Sequence, residues 1–160
     1  MSGLSSLRLV SQLIPSVRPT WQEIDMGAAL YITLENEDAG VDNFVDGKAL
    51  SRVEDHLVAV AHELGVRPLM EFYSMSEEDF LEEARQFNTL AGVTDPSPYQ
   101  EQWFTAEEGL STLRALLSYV QRTRDAFVDA DSVIVDLQNF VDVLEEAASR
   151  GIRWHLSVDY

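Results

Sequence analysis

The stretch that decides the fold is Asp131–Tyr160, with the sequence DSVIVDLQNFVDVLEEAASRGIRWHLSVDY. From Val133 to Ala148, apolar residues recur three and four positions apart, which predicts a helix with one buried face. Gly151 is expected to end this helix, because glycine readily enters the left-handed conformation of a C-terminal turn. Ile152–Asp159 then alternates between apolar and polar residues, which is typical of a half-buried strand.

Earlier parts of the chain extend this pattern. An apolar stripe predicts a helix over residues 48–64, and Gly65 then precedes a predicted strand, as Gly151 does. Further helices are predicted near residues 1–14, 76–87 and 105–127. The sequence therefore indicates an α+β fold in one compact domain, residues 1–160. We expect a small sheet of about three strands, near residues 29–35, 66–73 and 152–159, packed with four or five helices in a single layer on one face.

Composition restricts the possible partners. Acidic residues number 28 against 11 basic ones, giving a formal net charge of −17. This charge argues against nucleic acid and anionic membranes, which attract basic surfaces, and it permits a basic protein partner. No apolar run approaches the roughly 20 residues that a membrane helix needs. Without a secretory pattern near the N-terminus and without cysteine, we expect a cytoplasmic protein.

Sequence motifs for catalysis or metal binding are absent. There is no Gly-x-Ser-x-Gly elbow and no glycine-rich phosphate loop. His56 and His62 are six residues apart, so they lie on opposing sides of a helix and cannot bind one ion together. The acidic loop at residues 36–47 fails as a calcium loop, because Ala39 takes the place of a ligand. We therefore predict no metal, no cofactor and no catalytic residues.

The outward face of the predicted sheet is the strongest candidate for a ligand site. It would gather carboxylates, tyrosines, one arginine and one histidine: Tyr31, Glu35, Glu71, Tyr73, Arg153, His155 and Asp159. This face could be solvated, or it could be covered by a loop, by a second protomer or by the walls of a pocket. The irregular stretch Asn88–Trp103 is long enough to cover it.

Two functions remain open from the sequence. The first is binding of another protein, in a regulatory or immunity-like role, through acidic and aromatic loop residues: Glu37, Asp38, Asp42, Tyr99 and Trp103. A homodimer formed through the second face or the edge of the sheet is a related possibility. The second is a small-molecule or divalent-metal-binding enzyme, with His155 as its acid or base and Glu71 and Asp159 as partners.

Overall fold

A computed structural model describes residues 28–91 and 100–159 of the chain, and for residues 87–91 it describes the backbone alone. The predicted helix near residues 1–14 and the aromatic residue Tyr99 lie outside the described residues.

The described part of the chain has an α+β fold made of five α-helices and a two-stranded antiparallel sheet. The strands are β1 (Ala29–Leu34) and β2 (Trp154–Asp159). The helices are α1 (Lys48–Arg52), α2 (Glu54–Leu64), α3 (Glu77–Ala91), α4 (Ala106–Arg122) and α5 (Ala130–Ser149). Short 3₁₀ turns cover Glu37–Ala39, Leu69–Phe72 and Arg124–Ala126.

The sheet joins the beginning of the described chain to its end. The two strands pair Leu30 with Val158 and Leu34 with Trp154. The even-numbered residues of both strands therefore share one face of the sheet, and the odd-numbered residues share the other. The first face is apolar and buried, with Ile32 and Leu156 at its centre. The second face carries Tyr31, Thr33, His155 and Ser157.

The predicted third strand at residues 66–73 is wrong. Leu69–Phe72 forms a 3₁₀ turn, and only Tyr73 makes a single parallel bridge, to Leu156. Leu69 and Phe72 are both buried, whereas Glu71 is exposed. Residues three apart share one side of a 3₁₀ turn but lie on opposite faces of a strand, so burying both favours the turn.

Helices α4 and α5 pack on the first face of the sheet. Trp154 is fully buried, and its indole N–H donates to the Thr105 carbonyl at 3.1 Å. Gly109 of α4 lies so close that a Cβ atom there would stand 2.4 Å from the Trp154 ring.

The capping box at the start of α4 is confirmed, with the Thr105 hydroxyl accepting from the Glu108 N–H. Gly151 has the expected left-handed conformation, with φ of 66°.

Both outer edges of the sheet already have partners. On β1, the Gly47 N–H donates to the Leu30 carbonyl at 2.9 Å, and the Asn43 amide donates to the Ile32 carbonyl at 3.0 Å. On β2, the Phe104 N–H donates to the Trp154 carbonyl at 2.8 Å. A homodimer built by edge pairing would therefore have to displace these contacts.

The helices do not form the expected single layer on one face. α3 lies beside the second face of the sheet, and a polar cleft separates the two. The covering of the second face, left open by the sequence, is thus partly a helix and partly the chain segment just before α4.

Candidate functional site

The acidic cleft is a concave surface of about 420 Å³ between α3 and the second face of the sheet. Its floor comes from the strands, one wall from α3 and another from the segment preceding α4. The lining residues are Tyr31, Thr33, Tyr73, Ser74, Met75, Ser76, Asp79, Glu82, Glu83, Gln86, Glu101, His155, Ser157 and Val158. Neither lysine nor arginine is among them.

The wall formed by α3 follows from helical spacing. Asp79, Glu82, Glu83 and Gln86 are separated by three, four and seven residues, which places them on one side of the helix. Ser76 begins the helix by accepting a 3.0 Å hydrogen bond from the Asp79 N–H. None of the side chains from residue 77 to residue 86 is buried. Over residues 77–86, the helix therefore presents its carboxylates to the cleft without inserting a side chain deep into the core.

His155 forms the floor of the cleft and is almost completely enclosed. Its side chain is 2% exposed, and Nε2 lies 2.6 Å from Oε2 of Glu101. The other nitrogen, Nδ1, lies 3.0 Å from the Leu156 carbonyl oxygen and 3.3 Å from the Ser157 hydroxyl. The Trp103 ring packs on the imidazole, with 4.7 Å between ring centroids.

The hydrogens of the imidazole depend on which partner each nitrogen takes. A carbonyl oxygen can only accept, so Nδ1 is the donor in its 3.0 Å contact with Leu156. The 3.3 Å contact with the Ser157 hydroxyl fits an Nδ1 that accepts, with the ring hydrogen on Nε2 toward Glu101.

Ser157 extends this chain of hydrogen bonds to a second hydroxyl, 2.8 Å away on Thr33. The order carboxylate, imidazole, hydroxyl is also that of a nucleophilic triad. In a triad, however, the nitrogen beside the hydroxyl must be free to take its proton, and here the Leu156 carbonyl oxygen, at 3.0 Å, is closer to that nitrogen than the Ser157 hydroxyl at 3.3 Å. The Leu156 carbonyl therefore competes with Ser157 for Nδ1.

The structure brings three of the predicted ligand residues together. Tyr31, Tyr73 and His155 all line the acidic cleft. Glu35 and Arg153 instead pair with each other across the end of the sheet, with Arg153 Nε 2.9 Å from Glu35 Oε1. The hydrogen bonds from Arg153 hold the pKa of Glu35 below its ordinary value, and the same bonds raise the pKa of Arg153.

The other predicted residues lie elsewhere. Glu71 is exposed on the 3₁₀ turn, 3.6 Å from Arg67. Asp159 lines a different cleft, which it shares with Glu37. Asp38 and Asp42 are exposed, Tyr99 is outside the described residues, and Trp103 is half-buried against His155. Glu71 is therefore not gathered with His155, because the strand expected to carry it does not form. Asp159 shares the face of His155 but lies four residues farther along β2, at another cleft.

Sequence reasoning missed the carboxylates of the cleft. The spacing of Asp79, Glu82 and Glu83 predicts that they lie on one side of a helix. Nothing in the sequence indicated that this side of the helix would face the sheet. Glu101 had no signal, because its partner His155 is 54 residues away in the chain.

Within residues 28–91 and 100–159, no group of three or more histidine or acidic side chains could hold a metal ion. Over the same residues, none of the helices combines the length and apolar character needed to cross a membrane. Comparison of the chain with family models, with curated proteins and with solved structures gives no match.

Proposed function

We propose that this protein binds another protein by accepting a basic segment of it in the acidic cleft. The observation that supports this is the make-up of the cleft wall. Four carboxylates from two separate elements, Asp79, Glu82, Glu83 and Glu101, surround one concavity whose lining contains no lysine or arginine. The formal net charge of −17 adds a long-range attraction for basic partners.

The chemistry of the cleft suits long cationic side chains. Arg85 donates a 2.6 Å hydrogen bond to Glu82 and holds its pKa below the ordinary value, so an entering cation would share this ionised carboxylate with Arg85. Tyr31 and Tyr73 add aromatic rings, which attract lysine and arginine cations. A volume of about 420 Å³ is in the range of small-ligand pockets. The cleft can therefore hold one or two side chains of a partner but not a folded domain.

The enzyme alternative has less support. His155 is its proposed acid or base, yet the ring is enclosed and a backbone carbonyl oxygen lies 3.0 Å from its Nδ1. A homodimer, the absence of nucleic-acid binding and a cytoplasmic location all stay predictions.

The test is a titration with a short peptide rich in lysine and arginine, followed by fluorescence anisotropy, with an acidic peptide of equal length for comparison. Neutralising two cleft residues, Asp79→Asn with Glu83→Gln, is expected to weaken binding about tenfold. The matched control is Glu107→Gln with Asp125→Asn, since both residues are exposed outside the cleft and the net charge changes equally.

Equal weakening by both double variants would show that only overall charge attracts the peptide, and the cleft would lose its proposed role. Failure of the wild-type protein to bind the basic peptide at low salt would also contradict the proposal.

A further inference from the structure

We infer that a second copy of this chain docks on the surface around Phe44, so that the protein forms a symmetric dimer. We call this the Phe44 surface. It consists of a concavity of about 420 Å³ between the loop before α1, α1 itself and the beginning of α5, together with the apolar side chains at its rim. It shares no lining residue with the acidic cleft, so the inference does not depend on the proposed function.

The three most exposed large apolar side chains among the described residues belong to this surface. Phe44 is 86% exposed, Val128 85% and Val135 56%, whereas Tyr31 and Leu81 follow at 38% each. Exposed apolar side chains that are scattered singly are ordinary, but a cluster of them marks an interaction surface. Phe44 itself lines the concavity.

Position in the chain places the two valines at the rim of the concavity. Val135 lies three residues after Ser132 and four before Asn139, so the three share one side of α5. Ser132 and Asn139 both line the concavity. Val128 directly precedes Asp129, which is another lining residue. The apolar side chains therefore surround one concave site.

The charges of the Phe44 surface include one cation and one anion without an ion-pair partner among the described residues. These are Arg52 and Asp129, which are both exposed and both line the concavity. The other lining charges are engaged. Lys48 lies 3.9 Å from Asp46, and the Asp136 carboxylate accepts hydrogen bonds from the start of α1. Arg52 and Asp129 are thus available to a partner.

A second copy of the chain suits both of these charges at once. A two-fold axis brings the same patch of each copy together, so Arg52 of one copy meets Asp129 of the other, and the pair forms twice. An acidic partner would leave Asp129 without a cation, and a basic partner would leave Arg52 without a carboxylate. Phe44 of each copy then packs among the exposed valines of the other, which removes these side chains from water.

Sedimentation velocity of the full chain over a concentration series measures the association. The salt concentration should be about 0.15 M, where exposed charges more than about 8 Å apart are largely screened. We expect the wild type to show a reversible monomer–dimer equilibrium. Phe44→Ser removes an aromatic anchor from each half and should weaken dimerisation at least about tenfold. The control Leu81→Ser changes an exposed apolar side chain outside the Phe44 surface and should dimerise as the wild type does.

A wild-type protein that stays monomeric up to about 1 mM would overturn the inference. So would a Phe44→Ser variant that dimerises as tightly as the wild type.

Charge reversal tests the two-fold pairing itself. Arg52→Asp places two carboxylates opposite each other in each half of the dimer, and Asp129→Lys places two cations there. Each variant alone should dimerise at least about tenfold more weakly than the wild type. An equal mixture restores both ion pairs, so native mass spectrometry should show the mixed dimer in excess over either dimer of a single variant.

Two control variants make the same changes in net charge outside the Phe44 surface. They are Arg122→Asp and Glu107→Lys, at exposed positions that do not line the concavity. Each should dimerise as the wild type does, and their mixture should contain no excess of the mixed dimer. A random distribution of dimers from Arg52→Asp and Asp129→Lys would show that the copies meet elsewhere, and would overturn the inference.

The backbone of Asp129 calls for a second variant at this position. Its φ is 56°, a left-handed conformation that lysine adopts less readily than aspartate. Asp129→Asn keeps a residue type that tolerates this conformation and removes the charge, so it should also weaken the dimer. Phe44→Ser should leave binding of the basic peptide unchanged, because Phe44 does not line the acidic cleft. Failure of the dimer and failure of the proposed function are therefore observed separately.

Discussion

At the scale of single residues, His155 is a polar side chain with the burial of a core residue. It lies on the second face of the sheet, where the sequence pattern also allowed a solvated surface. Each of its nitrogens has a hydrogen-bond partner, as buried polar groups require. Glu101 and Trp103 provide the enclosure, and both come from the stretch proposed as a cover.

Replacing His155 by alanine should lower the free energy of unfolding by about 1–3 kcal/mol. The substitution removes the partner of Glu101 and leaves a gap beneath Trp103. Urea denaturation measures the change, with His62→Ala as the control, because His62 is exposed. A loss no larger than that of the control would mean that the second face is solvated around residue 155.

At the scale of elements, two close contacts fix how the helices sit. Gly109 lets α4 approach Trp154, and Asp136 of α5 accepts hydrogen bonds from the Ala49 and Leu50 N–H groups at the start of α1. α1 begins after Gly47, which has no side chain to cap it. Two carboxylates therefore cap this helix. Asp46 accepts from the Lys48 N–H at 3.2 Å, and Asp136, 87 positions after Ala49, accepts from the next two N–H groups.

Gly109→Ala should destabilise the protein by about 1–3 kcal/mol, although alanine is the better helix former. The added methyl group would overlap both Trp154 and Leu144. Thermal unfolding followed by circular dichroism is the measurement. Ser111→Ala, on the exposed side of the same helix, should leave the melting temperature nearly unchanged. A melting temperature that rises in the Gly109 variant would show that α4 and β2 can move apart without cost.

Asp136 gives a pH-dependent prediction. Burial raises its pKa above the ordinary value of 3.8, outweighing the hydrogen bonds that lower it. The folded protein thus binds the Asp136 proton more tightly than the unfolded chain does. The stabilisation that this bound proton provides is complete below pH 3.8 and is lost as pH rises through the pKa of Asp136 in the folded protein.

The Asp136→Asn variant keeps a carbonyl acceptor and does not titrate. Its stability relative to the wild type should therefore increase as pH rises from about 4 and then level off. Urea denaturation at a series of pH values checks this, and Asp136→Ala, which removes one of the two caps, should lose about 1 kcal/mol. A difference between the wild type and Asp136→Asn that is constant with pH would contradict the raised pKa.

At the scale of the whole molecule, the core and the cleft wall are built differently. α4 and α5 each bury one continuous apolar face. The described side chains of α3, by contrast, stay exposed or half-buried while its acids face the cleft. The protein thus combines a packed body with a helical segment, residues 77–86, that buries none of its side chains at the proposed binding surface.

Hydrogen exchange should reflect this difference. Amides of residues 77–86 in α3 should exchange faster than those of α4, because opening this segment exposes no fully buried side chain. Adding the basic peptide should slow exchange in α3 and leave α4 unchanged. Equal protection of this segment and of α4 in the free protein would contradict the prediction.

Much of the fold follows from local pattern in the sequence. The alternation at residues 29–35 and 152–159 predicts the two strands, and the spacing of apolar residues predicts α4 and α5 to within a few positions. Thr105 and Gly151 mark helix ends through capping physics that involves only near neighbours. The sequence also determined the excess of acidic charge, which does not depend on folding.

Tertiary structure alone decided the rest. Residues 66–73 alternate well enough for a strand, but burying Leu69 and Phe72 together required a 3₁₀ turn. The meeting of Glu101 with His155, and of α3 with the second face, depends on contacts between distant parts of the chain. Local periodicity indicates which side of a helix or strand is polar. The packing of helices and strands against each other then decides which charged side chains face one another across a cleft.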